Sequence, residues 1–324
     1  MTKRAQNRVA ESRFTLSAVM AYAIAVWLFS GRLIPTLPTS LAELQHGAWV
    51  QFFCFLASVF LISELNNSNA LIRIYSRTVS CSFIVLMCAG NFLFSSVSGA
   101  IAQMCIIAAY LALFRTYQDR ASVGWTYYAF LCFGLASCTF PQFVFFVPLL
   151  WFLMFFQLSS LSWRTFFASI LGVLTPYWFA LPLLLYWGNT EALSAHIANL
   201  VDLQKPLDHA AALTINELAF FVFITALGIT GTVHYQRKKS GDNIRIRLFY
   251  DCFILMWVAA AIFLLMQPQH YDVLIRLIII NVSPLIAHFL TLTNTRITNI
   301  AFYVICAVAL LLTLYNLWMP SSTF

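Results

Sequence analysis

The sequence predicts an all-α fold, a polytopic transmembrane helical bundle of about eleven helices. Hydrophobic residues make up 61% of the chain and charged residues only 9%, which is far from the composition of soluble proteins. The hydrophobic residues fall in long runs, and about 20 such residues are needed to cross a bilayer. Basic residues lie in every second gap between the runs. Together these observations predict one integral membrane domain over residues 1–324.

The distribution of positive charge predicts the orientation of the bundle. Fifteen of the eighteen Lys and Arg residues lie at the N-terminus or in even-numbered gaps. They are Lys3, Arg4, Arg8, Arg13, Arg73, Arg77, Arg115, Arg120, Arg164, Arg237, Lys238, Lys239, Arg245, Arg247 and Arg296. Because basic loops are retained in the cytoplasm, the N-terminus is predicted to be cytoplasmic and the C-terminus periplasmic, in a bacterial inner membrane. The same pattern accounts for the net charge of +7, so the lipid bilayer is a predicted partner and nucleic acid is not.

The predicted helices occupy eleven hydrophobic runs: 14–33, 48–65, 78–96, 98–115, 125–140, 142–158, 163–186, 214–234, 248–267, 273–291 and 297–318. The first run is too long for a signal-peptide core, so it is predicted to remain attached as a membrane helix. Pro141 divides the hydrophobic stretch Trp125–Gln157, because proline lacks an N–H group and clashes with the preceding turn. One kinked or re-entrant element is the alternative, but it would place the basic segment Arg237–Arg247 outside.

Two predicted outer loops are long enough to carry function, residues 34–47 and residues 187–213. The second loop contains a predicted amphipathic helix, Thr190–Lys205, of the kind that lies in the membrane interface. Its candidate catalytic residues are His196, Asp202 and His209, since an imidazole or a carboxylate can act as a general base on a sugar or phosphate substrate. The alternative is that they are ordinary residues of a solvated loop.

Helix ten carries the second set of candidate residues, which are predicted to bind a ligand. Asp272 and Arg276 are four residues apart and can pair on one helical face. Ser283 lies almost directly below Arg276, and His288 lies on the adjoining flank. Ionisable groups within a membrane span are costly and are often functional. The sequence leaves two interpretations open, a ligand-facing polar arc or an ion pair with buried hydrogen bonds that stabilise the helix.

Motifs for cofactor chemistry are absent from the sequence. It contains no metal-ligand spacing, no glycine-rich phosphate loop and no serine-nucleophile elbow. The eight cysteines fall within or at the ends of hydrophobic runs and form no CxxC pair, which is typical of small hydrophobic residues. No metal and no cofactor are predicted.

Three stretches form a recognisable pattern: Phe156–Phe166 with Gly172 and Pro176-Tyr177, Arg276–Phe289, and Gly134–Ser137 leading to Pro141. The pattern resembles a family of uncharacterised polytopic inner-membrane proteins from Bacteroidota and covers most of the chain from Glu64 onward. In that family a basic residue and a proline precede the aromatic–Trp–Arg block, and a glutamate follows the arginine. Leu158–Leu161 and Thr165 stand there instead, so an ion pair to that glutamate is absent. The resemblance implies a class of protein but no activity.

Three functions remain open on the sequence alone, and it does not decide whether the protein is an enzyme. The first is the handling of lipid-linked glycans in envelope assembly, as a polymerase, ligase or glycosyltransferase, with Arg276 binding pyrophosphate and His196 or His209 near the acceptor. The second is a secondary transporter, although no internal repeat supports it. The third is a non-catalytic scaffold or assembly subunit whose partners are other envelope proteins.

Overall fold

The computed structural model describes residues 4–33, 41–187, 190–201 and 213–318. These ranges form α-helices and short 3₁₀ turns without a strand, so the all-α prediction is confirmed for them. The helices are α1 (Ala5–Glu11), α2 (Thr15–Leu33), α3 (Leu41–Asn69), α4 (Thr78–Ala89), α5 (Val97–Phe114), α6 (Val123–Thr139), α7 (Val147–Phe156), α8 (Trp163–Tyr186), α9 (Thr190–Val201), α10 (Ile215–Lys238), α11 (Ile244–Met266), α12 (Tyr271–Leu292) and α13 (Arg296–Trp318).

The described part of the chain contains seven helical segments that are long and apolar enough to cross a membrane. They are Gly47–Asn69, Val97–Phe114, Trp163–Tyr186, Ile215–Gly241, Ile244–Met266, Pro268–Leu292 and Arg296–Trp318. An eighth candidate is the pair formed by α1 and α2, which meet at an angle of 88°. Several spans of this length identify a multi-pass membrane protein.

Helix α12 is the core of the bundle. It packs against α4, α5, α10 and α11, and 89% of its span is buried inside the protein, compared with 11% for α13. Residues on every side of α12 are hydrophobic, and a helix of that kind is buried by its neighbours. The candidate residues on α12 therefore lie inside the bundle, whereas α13 is peripheral.

Two predicted helices are broken in the structure. The predicted run 78–96 ends as an α-helix at Ala89, and residues Asn91–Ser95 form a 3₁₀ turn before Ser96 caps α5. Gly90 follows the last turn of α4, and glycine favours the end of a helix over its interior. The predicted run 142–158 likewise opens with a 3₁₀ turn, Pro141–Phe146, and becomes α-helical only from Val147.

Two predicted loops are shorter in the structure than in the sequence analysis. Helix α10 continues to Lys238 and α11 begins at Ile244, so Arg245 and Arg247 are helical and only residues 239–243 connect the two helices. Arg237 and Lys238 in the last turn of α10 interact favourably with its negative dipole end. The predicted loop 34–47 overlaps α3, which already begins at Leu41.

The two ends of the bundle differ in charge. At one end, which we call the basic end, Arg73 donates to the carbonyl of Gly241 and Arg245 donates to the side chain of Asn69. Helix α1 lies at this end, where the Gln6 side chain donates to Thr293 in the α12–α13 connection. The opposite end carries Asp272 at the start of α12 and the helix α9.

Candidate functional site

The Arg276 side chain is enclosed near the start of α12. It is 1% exposed and is the largest fully buried side chain among the described residues. Its guanidinium lies 3.2 Å from the Asp272 carboxylate, as the four-residue spacing predicts. It also donates to the Gln103 side chain at 3.3 Å and to the Leu93 carbonyl in the 3₁₀ turn before α5. The donors of Arg276 are thus engaged by the protein itself.

Gly99 allows this ion pair to lie against α5. A Cβ atom at Gly99 would stand 2.5 Å from the Asp272 Oδ2 atom and 2.6 Å from the Arg276 Nε atom, which is closer than van der Waals contact. The first turn of α5 therefore closes over Asp272 and Arg276. This geometry agrees with the interpretation in which the pair stabilises the bundle, and it leaves little space at the guanidinium for a pyrophosphate.

The middle of α12 carries polar side chains that are satisfied within the bundle. Ser283 is fully buried and donates to the Ile279 carbonyl of its own helix. Asn281 accepts a hydrogen bond from the Tyr110 hydroxyl at 2.7 Å and donates to the Leu277 carbonyl. These contacts are typical of hydrogen bonding within and between membrane helices.

His288 lies at the basic end of α12 in a cluster of charged groups. Its Nε2 atom is 3.0 Å from the Asp242 carboxylate, and its Nδ1 atom is 3.4 Å from Nδ1 of His234 on α10. Arg73 lies 2.9 Å from the other oxygen of Asp242. Sequence analysis did not assign His234, Asp242 or Arg73 to a site. The sequence feature that could have identified this cluster is Asp242, the single acidic residue in the basic segment Arg237–Arg247.

His196 lies on α9, which docks on the opposite end of the bundle. Its Nε2 atom is 3.4 Å from the Tyr177 hydroxyl, which donates to Ser137. One turn further on, the Asn199 carbonyl accepts a hydrogen bond from Gln142, at the turn where Pro141 divides α6 from α7. Burial lowers the pKa of the His196 imidazole below its ordinary value of 6.5. The other candidate residues of this loop, Asp202 and His209, lie outside the described residues.

The candidate residues do not converge on one cavity in the described part of the chain. Arg276 contacts α5, His288 contacts α10 and the α10–α11 connection, and His196 contacts α8. No group of three or more His, Cys, Asp or Glu among the described residues is arranged to hold a metal ion. A single reaction centre built from these side chains is therefore not assembled by the described helices.

A cavity of about 130 Å³ lies instead near the basic end, between α1, α2, α4, α10, α12 and α13. We call it the α4–α13 cleft. It is lined by Gln6, Val9, Ala10, Thr15, Val19, Arg77, Thr78, Cys81, Ser82, Val85, Leu86, Phe223, Leu227, Ile286, Leu290, Phe302, Ile305, Cys306 and Ala309. Most of these side chains are hydrophobic, and an apolar cavity of about 150 Å³ stays dry and binds a hydrocarbon such as benzene.

The polar residues of the cleft belong to α1 and to the N-terminal parts of α2 and α4. Arg77 precedes α4, and the α1 residues Gln6, Val9 and Ala10 line the cleft beside it. Helix α1 is fixed in place by hydrogen bonds from Gln6 to Thr293 and from Ser76 to the Ala10 carbonyl. The cleft thus combines a mostly hydrophobic lining with the side chain of one arginine, Arg77.

Comparison with known proteins adds no further assignment, since no protein-family profile, no curated protein and no solved structure matches the chain. The resemblance to membrane proteins of Bacteroidota stays a prediction.

Proposed function

We propose that this chain is a multi-pass protein of the bacterial inner membrane that binds a phosphate-bearing lipid of the lipid-linked glycan class in the α4–α13 cleft. The observation that carries the proposal is a mostly hydrophobic cavity that has Arg77 among its lining residues. The proposal assigns lipid binding and no reaction, because His196, the one catalytic candidate among the described residues, lies on α9 at the opposite end of the bundle from the cleft.

The hydrocarbon part of the cleft suits one chain of a lipid. Val85 and Leu86 of α4 form one wall and Phe302 and Ile305 of α13 form another. Each buried CH₂ group of a chain contributes about 0.8 kcal/mol to binding. Because α13 is mostly exposed, a chain can enter from the surrounding bilayer beside it.

Exposed basic residues on the α1–α2 segment also suit a phosphate head group. Arg8 on α1 and Arg13 between α1 and α2 are exposed on the segment that lines the cleft, where Glu11 is the single acid. A hydrogen bond from arginine to a charged group contributes about 1.5–3 kcal/mol. Replacement of Arg77 by Ala is therefore expected to weaken lipid binding about tenfold or more.

The proposal also includes the number of membrane crossings and the orientation of the bundle. The alternation of basic gaps supports about eleven crossings, with the N-terminus and the basic end in the cytoplasm and the C-terminus in the periplasm. The crossings added to the seven long spans are α2, the short helices α4 and α6, and residues 141–156. In this orientation the α4–α13 cleft lies in the cytoplasmic leaflet.

Photo-crosslinking tests the proposal. The full-length protein is reconstituted in bilayers with a lipid that carries a diazirine in its chain, and labelled peptides are mapped by mass spectrometry. We expect labels on α4 and α13 residues of the cleft. Val85→Trp, which fills the cleft, will remove these labels, whereas Ile300→Trp on the exposed face of α13 will not.

Competition distinguishes the lipid classes. Polyprenyl phosphate is expected to displace the label at lower concentration than phosphatidylglycerol, and Arg77→Ala will reduce the effect of both. Equal displacement by the two lipids would assign the cleft to ordinary phospholipid. Labels spread evenly over the lipid-facing helices, and unchanged by Val85→Trp, would overturn lipid binding in the cleft.

A further inference from the structure

Two histidines and one aspartate form a continuous line of contacts at the basic end, separate from the α4–α13 cleft. His234 on α10 faces His288 on α12 through their Nδ1 atoms, which are 3.4 Å apart. His288 then faces Asp242 through Nε2 at 3.0 Å. The His288 and Asp242 side chains are 0% and 1% exposed, and His234 is half-buried. The line therefore runs from a partly accessible imidazole to a fully enclosed carboxylate.

Charged and aromatic side chains from several elements surround these three residues. Arg73, in the α3–α4 connection, lies 2.9 Å from the Asp242 carboxylate and donates to the Gly241 carbonyl at 3.0 Å. Lys238 follows His234 by one turn on α10. Two tyrosine rings, Tyr235 of α10 and Tyr250 of α11, flank His288 at centroid distances of 5.6 and 5.1 Å.

The contacts define the tautomers of the neutral histidines. A carboxylate only accepts hydrogen bonds, so His288 must carry its proton on Nε2 to donate to Asp242. The Nδ1 atom of neutral His288 is then an acceptor, and His234 must donate to it through Nδ1–H. Nε2 of His234 is left unprotonated, and this buried nitrogen has no hydrogen-bond partner among the residues that the structure describes. The neutral array thus ends in a vacant proton acceptor.

We propose that His234, His288 and Asp242 form a proton-binding relay. When local motion of the half-buried His234 ring admits water, a hydronium ion gives its proton to Nε2 of His234, which becomes an imidazolium. His234 passes its Nδ1 proton to Nδ1 of His288 and is neutral again, now protonated on Nε2. His288 becomes the imidazolium and pairs with Asp242. One proton enters, one water molecule is released, and the positive charge ends on the enclosed ring.

Binding of this proton weakens the ion pair that holds Arg73. In the neutral array, Arg73 is the cation that balances Asp242. After protonation, two cations share the single negative charge of Asp242, Arg73 at one carboxylate oxygen and His288 at the other. His288 is 0% exposed and cannot turn to water, whereas the Arg73 side chain is 40% exposed and can. The ion pair of Arg73 with Asp242 is therefore weakened, and the tie between the α3–α4 connection and the α10–α11 connection loosens.

Histidine NMR tests the relay. The protein is labelled with ¹⁵N-histidine in lipid nanodiscs, and His288 is assigned by comparison with His288→Gln. We expect the Nε2–H tautomer of His288 at high pH and its imidazolium at low pH. Asp242→Asn is expected to lower the proton affinity of His288 at least tenfold. His234→Gln is expected to shift the pH midpoint of the His288 titration. His270→Gln, at the opposite end, is the matched control.

Chemical modification provides a second readout that does not need NMR assignment. Reaction of Arg73 with phenylglyoxal, relative to exposed Arg164, is expected to rise as the pH falls in the wild type and to stay constant in His288→Gln. The unfolding midpoint of each variant at pH 8 verifies that it folds. A His288 ring that stays neutral from pH 4 to 9, with a constant Arg73 to Arg164 ratio, would overturn the relay.

Discussion

Arg276 and His288 lie at opposite ends of α12, and each is enclosed by a different part of the bundle. Twelve residues separate them, which is about 18 Å along a helix. Arg276 binds the turn before α5, while His288 binds the connection between α10 and α11 through Asp242. The most buried of the seven long spans is thus held by polar contacts near both of its ends.

Substitutions of Asp272 and of Arg276, which form an ion pair, are predicted to differ in their effect on stability. Arg276 is 1% exposed and Asp272 is 37% exposed. Removal of the carboxylate by Asp272→Asn leaves a buried cation without a counter-charge, and a loss of about 3–5 kcal/mol in the free energy of unfolding is expected. Arg276→Met leaves a carboxylate that water can reach, so its loss will be smaller.

Chemical unfolding in detergent micelles, followed by tryptophan fluorescence, measures this difference. Arg237→Met, at an exposed arginine of the basic end, is the matched control and should change stability by about 0.5 kcal/mol at most. An equal or larger loss for Arg276→Met than for Asp272→Asn would contradict the structural interpretation of the pair.

Close packing of α6 on α8 yields a second prediction. A Cβ atom at Gly172 would stand 2.7 Å from the Tyr127 carbonyl oxygen, whereas a Cβ atom at Gly124 meets nothing within 4 Å. Gly172→Ala must push α8 away from α6 and is expected to cost about 1–3 kcal/mol. Gly124→Ala is the control and is expected to be neutral or slightly stabilising. Thermal unfolding of the two variants measures the difference, and equal midpoints would contradict the packing.

Docking of α9 is predicted to depend on pH. Burial lowers the pKa of His196 below 6.5, so the docked helix favours the neutral imidazole. The stabilisation is present above pH 6.5 and is lost as the pH falls through the lowered pKa. Hydrogen exchange of residues 190–201, corrected for intrinsic rates, should accelerate at low pH. His196→Gln cannot titrate and should show no acceleration; the same pH response in both proteins would exclude His196 as its cause.

The orientation of the bundle can be tested with reporter fusions. The proposed topology, which rests on the charge pattern, predicts that the α10–α11 connection is cytoplasmic and the end of α13 periplasmic. Green fluorescent protein fused after Gly241 should fluoresce, and alkaline phosphatase fused after Trp318 should be active. Phosphatase activity after Gly241, or fluorescence after Trp318, would reverse the proposed orientation and move the α4–α13 cleft to the other leaflet.

The sequence predicted those features that depend on local spacing. The hydrophobic runs located most helices, and the interval between Asp272 and Arg276 predicted their ion pair. It did not predict the break at Gly90, because the run 78–96 has no proline and remains hydrophobic enough to continue. The sequence analysis also predicted too long a connection between α10 and α11. Arginines in the end turns of a helix cannot be distinguished by composition from arginines in a loop.

The partners of His288 and the α4–α13 cleft could not be predicted in this way. Asp242 and Arg73 belong to two connections that are distant in sequence and meet only after α3, α10 and α12 have packed. The cleft is likewise a space left between six helices, and no residue pattern within one helix encodes it. Such features depend on tertiary packing, which periodicity along one segment does not describe.

The most direct test of lipid binding is a cryo-electron microscopy map of the protein in lipid nanodiscs that contain polyprenyl phosphate. The proposed function predicts an elongated density between α4 and α13 that contacts Val85, with its head group beside Arg77. The density should be absent in Val85→Trp. An empty α4–α13 cleft in the wild type, with lipid density only on the outer faces of α8 and α13, would contradict the proposal.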